Sequence, residues 1–68
     1  MLKLKDLLEV IEEGTKLYVI DWSEIPHNPI YEKKYELESL SVYDDYKIVS
    51  IQQFSTFIEI NIMKGGDK

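Results

Sequence analysis

The chain has 68 residues, no cysteine and a single histidine, and its 13 acidic against 8 basic residues leave a formal charge of -5. Those numbers allow one domain, exclude disulfides and thiolate zinc sites, and leave too few imidazoles for the usual histidine-built metal centre. Every basic residue is lysine, so the chain lacks the guanidinium fork that reads bases, and its net charge repels both phosphates and anionic lipid surfaces; neither nucleic acid nor a membrane is an expected partner.

The hydrophobic share, 44%, suits a folded domain, and no apolar run reaches the length of a membrane span. A chain this short buries only about 60% of the surface its unfolded form exposes. Without disulfides or metal, it must rely on regular packing or on self-association. Nine isoleucines, no alanine and no arginine point to AT-rich coding, as in a low-GC bacterium or its phage. The amino terminus, MLKLKDLLEV, carries Asp6 and Glu9 where a secretory signal would be apolar, so the expected compartment is the cytoplasm.

Leu4, Leu7, Leu8 and Ile11 repeat with helical spacing, while Asp6, Glu9, Glu12 and Glu13 fill the intervening positions. This predicts an amphipathic helix over about residues 4–13, ended by Gly14. KLYVIDW, residues 16–22, is rich in β-branched and aromatic side chains on both faces and reads as an interior strand. Pro26 and Pro29 then exclude a regular ladder, which makes DWSEIPHNPIY a stiffened loop.

IYEKKYEL, residues 30–37, is read as a second strand paired with the first, although Tyr31 and Tyr35 also have helical spacing. ESLSVYDDY suits one helical turn that brings Leu40, Val42 and Tyr43 onto the core. YKIVSIQ and TFIEINIM form a hairpin around Phe54 and Ser55, with Ile58, Ile60 and Ile62 alternating against Glu59 and Asn61. No Asn-Gly or Asp-Gly pair is present, so a loop of about four residues is expected there. GGDK, from Gly65, reads as a tail. The expected fold is α+β: residues 1–64 form one domain, in which the amphipathic helix covers an antiparallel sheet of three or four strands.

Catalytic patterns are absent from this sequence. Asp21, Glu24 and His27 are spaced three apart, but the prolines argue against the helix that would gather them around a metal. Asp44-Asp45 lacks the spaced oxygen ligands and glycine of a calcium loop. The serines sit in no nucleophile motif, and no glycine-rich loop is available to cradle a phosphate. No cofactor, metal or catalytic residue is therefore expected.

What remains is surface. Trp22, Tyr31, Tyr43 and Phe54 fall at the ends of elements, and large aromatics with polar tips are favoured anchors at interfaces, as well as core material in a small domain. The expected contact set is Trp22, Ile25, His27 and Tyr31 in or beside the proline loop, with Phe54 in the hairpin. The partner is another protein or a second copy of the chain. The acidic groups at Asp6, Glu9, Glu12 and Glu13 and at Glu36, Glu38, Asp44 and Asp45 offer an alternative reading, a nucleic-acid mimic that blocks a nucleic-acid-binding protein. Interleaved lysines at 3, 5, 33 and 34 weaken it.

The segments KDLLEVIEEGTKLYVID, YKIVSI and FIEINI together resemble short proteins encoded by phages and mobile elements of Firmicutes. That class has no agreed function, so the resemblance implies an origin and an accessory role rather than an activity. The proline-bearing DWSEIPHNPIY departs from the short strand-turn-strand usual in the middle of such chains.

Overall fold

A computed structural model describes residues 2–23 and 25–64. Its elements are α1 (Leu4–Leu8), β1 (Lys16–Asp21), β2 (Pro29–Lys34), a 3-10 turn (Ser41–Tyr43), β3 (Lys47–Gln53) and β4 (Ile58–Met63). Among the described residues, one face of a four-stranded sheet carries the helical layer and the other carries none.

The sheet order is β2-β1-β4-β3. Two antiparallel hairpins, β1 with β2 and β3 with β4, lie side by side, and β1 runs parallel to β4. The expected antiparallel sheet is thus corrected to a mixed one. The reason lies in side-chain character: the two strands with the most complete apolar sets, KLYVID and IEINIM, take the interior positions. Proline and three charged residues leave PIYEKK at an edge, where a strand tolerates proline and where charges discourage pairing with another chain. Placing β1 and β4 together makes them parallel, because the residues between β2 and β3 carry the chain across the sheet.

The helix is also shorter than its periodicity predicts. Only residues 4–8 are α-helical, and residues 9–14 continue as turns. A helix of five residues cannot form alone, since nucleation costs more than its few bonds return, so α1 exists because Leu4 and Leu8 are buried against the sheet. Its start is fixed by the Lys3 amide donating to Asp6 Oδ2 at 3.1 Å and by the Leu4 amide donating to the Tyr46 carbonyl at 2.8 Å. Glu12 and Glu13 lie beyond the helix, so the four expected carboxylates do not form one helical face.

Gly14 ends the turns with φ +96°, a conformation that side-chain-bearing residues rarely adopt. Its amide donates to the Tyr35 carbonyl at 2.8 Å, and the Tyr35 amide donates back to the Thr15 carbonyl at 2.7 Å, extending the β1–β2 pairing by one step. The second strand therefore ends at Lys34, and residues 35–46 form turns around the single 3-10 turn. The core comprises Leu4, Leu8, Leu17, Val19, Tyr31, Tyr35, Leu40, Ile60 and Ile62, all between the sheet and this helical layer. Val42, expected to close onto it, is exposed instead.

Candidate functional site

Strand alternation sorts the remaining side chains onto the opposite face. The core takes Leu17 and Val19 from β1 and Ile58, Ile60 and Ile62 from β4, so Tyr18, Ile20 and Trp22, with Phe57, Glu59, Asn61 and Met63, point away from the helical layer. Pairing adds Glu32 beside Tyr18, Ser50 beside Asn61 and Gln52 beside Glu59. The result is an uncovered face with aromatic rings at both ends and a polar centre.

One end is built by the hairpin. The Phe54 amide donates to the Phe57 carbonyl at 2.8 Å, closing the turn, and the two rings stack with centroids 4.7 Å apart. Phe57 meets Tyr18 edge-on at 5.9 Å. Three rings thus run from the hairpin turn onto β1. At the other end Trp22 stacks on His27, centroids 4.4 Å apart, which draws the β1–β2 connection against the sheet.

The centre is Asn61. Its Oδ1 accepts the Trp22 indole N–H at 2.6 Å, while its Nδ2 donates to Ser50 Oγ at 3.1 Å and to Glu59 Oε2 at 3.0 Å. Although it lies on the uncovered face, Asn61 is only 4% exposed, because Trp22 and its neighbours close over it. A buried amide of this kind is tolerated when its donors and acceptor are all matched. The connection after β1 is held as well: Asp21 Oδ1 accepts the Ser23 amide at 2.8 Å, and the Lys64 amide donates to Ser23 Oγ.

Of the residues expected to make contacts, Trp22 and Phe54 are 42% and 43% exposed, and they stand at opposite ends of the same face. His27 is exposed and joins Trp22; Ile25, 91% exposed, lies in the β1–β2 connection next to a cis Ile25–Pro26 peptide. Tyr31 must be removed from the contact set. It is 7% exposed and sits on the core face, where its hydroxyl bonds the Lys34 carbonyl at 2.9 Å, the Glu36 amide at 3.1 Å and Ser39 Oγ at 2.9 Å. Its role is to fix the turn that follows β2. The aromatics Tyr18 and Phe57, and the polar hub at Asn61, were missed at the sequence level. The signal was available in the two-residue period that takes positions 18, 20 and 22 and positions 57, 59, 61 and 63 to one side.

Among the described residues no group of three or more acidic or histidine side chains is placed to hold a metal, and Glu24, from the expected Asp21–Glu24–His27 set, lies outside them. No described helix is long and apolar enough to cross a membrane. The helical side has a shallow cleft of about 520 Å³ lined by Lys5, Glu9, Tyr35, Leu37, Glu38 and Asp44. Burial, above all, raises the Tyr35 hydroxyl above its ordinary value; the Glu38 amide that bonds it acts the other way, and the charges of Asp44, Tyr31 and Glu13 add to the rise. No family model matches the chain, and no curated protein or solved structure matches it at a significant level.

Proposed function

We propose that this chain is a small, non-enzymatic protein-interaction domain of the cytoplasm that contacts a protein partner through the uncovered sheet face. The observation that carries this reading is the placement of Phe54, Phe57, Tyr18, Trp22 and His27 along one face, away from the core that already buries the other. Rigid, half-exposed rings supply contact area at low entropic cost. The polar groups between them bond one another through Asn61, which suits a preformed contact surface better than a reacting centre.

Aromatic sheet faces also stack nucleic-acid bases. Here Tyr18 is flanked in register by Glu32 on β2 and Glu59 on β4, so a phosphate chain crossing that ring would meet carboxylates on both sides. A protein partner carrying an apolar patch with lysine or arginine nearby matches the face better. The phage or mobile-element accessory role is supported by the sequence resemblance alone.

Site-specific photocrosslinking in the producing cell tests the proposal. A crosslinker is placed in turn at Phe54, at Met63 on the uncovered face, and at Leu37 and Val42, exposed positions of the helical layer. Adducts to one protein, formed from Phe54 and Met63 and not from Leu37 and Val42, support the reading. Adducts confined to the helical-layer positions overturn it.

A further inference from the structure

The two edges of the sheet are built differently. β2 carries Pro29, Glu32, Lys33 and Lys34, the proline and charges that keep an edge from pairing with another chain. β3, KIVSIQQ, is uncharged from residue 48 to residue 53 and contains no proline. The chain already uses part of this second edge: the Ile48 amide donates to the Leu2 carbonyl at 3.1 Å, and Lys3 bridges Lys47. Among the described residues, the pairing of the N-terminal segment with this edge stops at Ile48, before the bulge at Val49.

The direction of the remaining backbone groups follows from the ladder. In an antiparallel pair, residues alternate between bonding the partner strand and pointing away from it. Counting from the closing bond between Phe54 and Phe57, Gln52 and Ser50 bond toward β4, so Ile51 and Gln53 present their N–H and C=O groups outward.

We infer that β3 pairs with β3 of a second copy of this chain, antiparallel and centred on Gln52, to give a continuous sheet of eight strands, four from each copy. In that register Ile51 faces Gln53 of the second copy and Gln53 faces its Ile51, so each outward residue exchanges a pair of backbone bonds. Gln52 meets its own equivalent on the two-fold axis, and an amide is complementary to itself because it both donates and accepts. The choice of a second copy rests on this self-complementarity and on charge: two acidic chains can approach along a segment with no charge to repel. The pairing lies at the edge of the sheet, so it stands or falls separately from the contact proposed for its face.

The test is sedimentation equilibrium of the intact chain from about 10 µM to about 1 mM, a range suited to a small interface. The expected result is a concentration-dependent rise from 8.0 kDa toward twice that mass. Gln52→Lys, which sets like charges on the axis without touching the core, should raise the dimer dissociation constant about fivefold or more. Gln53→Pro, which removes one outward N–H, should abolish association while the circular dichroism of the monomer is unchanged. Should the proline variant fail to fold, Gln52→Lys decides alone. A mass of 8.0 kDa at every concentration, or a dimer that Gln52→Lys leaves intact, would overturn the inference.

Discussion

The indole N–H of Trp22 donates to Oδ1 of Asn61 at 2.6 Å, joining residues 39 apart in the chain at the junction of β1 and β4. This bond links the start of the proline-bearing connection to the polar centre of the uncovered face. It also explains how an asparagine comes to be buried in the middle of an isoleucine-rich strand.

Asn61→Ala is expected to cost about 1–3 kcal/mol, because it leaves the Trp22 donor without its acceptor and removes both Nδ2 bonds. Trp22→Phe keeps a ring over the face and loses only the donor, so it should cost less. Urea unfolding followed by circular dichroism, which does not depend on the tryptophan, measures both. Equal stability of Asn61→Ala and the native chain would show that the hub contributes nothing.

Leu4→Ala and Leu8→Ala should each cost about 2–5 kcal/mol, a large part of the stability of a domain this size. Both side chains are buried, and their burial is the main support of the five-residue helix. Val42→Ala, in the exposed 3-10 turn, should change stability by less than about 0.5 kcal/mol. Chemical denaturation of the three variants separates packing from intrinsic helix preference.

Two backbone positions should respond in opposite senses. Gly14, at φ +96°, has open space where a Cβ would go, so Gly14→Ala clashes with nothing and should still cost about 1–2 kcal/mol in backbone strain. Glu38 holds φ +67° with a side chain attached, and Glu38→Gly should relieve the same strain, for a net gain of up to about 1 kcal/mol after the added freedom of the unfolded chain. Thermal melts read the two signs directly.

Alkaline pH should destabilise the chain partly through Tyr35. Burial raises its hydroxyl above the unfolded value of about 10, so the folded state holds that proton more tightly than the unfolded state does. The stabilisation is fully present below the unfolded value and is lost as the pH rises through the higher folded value. Urea midpoints measured from about pH 8 to about pH 11 should fall at the alkaline end, and less steeply in Tyr35→Phe. An unchanged slope in that variant would assign the loss to other groups.

The local elements were largely legible in the sequence, and their assembly was not. β-branched and aromatic residues marked β1, β3 and β4 nearly to the residue, because a pleated, half-buried surface selects them. Two expectations failed where tertiary contacts overrode a local pattern. The leucine spacing in residues 4–11 suggested a long helix, yet only Leu4 and Leu8 are buried, and the chain leaves the helix to reach Gly14 and Tyr35. Tyr31 looked like a loop-end anchor, but the side of β2 it takes is set by its pairing with Val19, which carries it into the core. The parallel junction of β1 and β4 depends on how two hairpins meet, and no short-range signal encodes that. The contact face was half legible: Trp22, His27 and Phe54 stood out by type, whereas Tyr18, Phe57 and Asn61 required the strand register.

We propose that a partner binds the uncovered sheet face, with Trp22 and Asn61 at its polar junction. The most direct measurement is a two-dimensional amide spectrum of the isotope-labelled chain, recorded in buffer and in lysate of its own host. Binding at this face is expected to broaden selectively the Trp22 indole N–H, the Asn61 side-chain amide and the backbone amides of Tyr18, Ile20, Phe57 and Glu59, while those of Leu8, Leu40 and Val42 stay sharp. Broadening centred on the helical layer, or an unchanged spectrum, would contradict it.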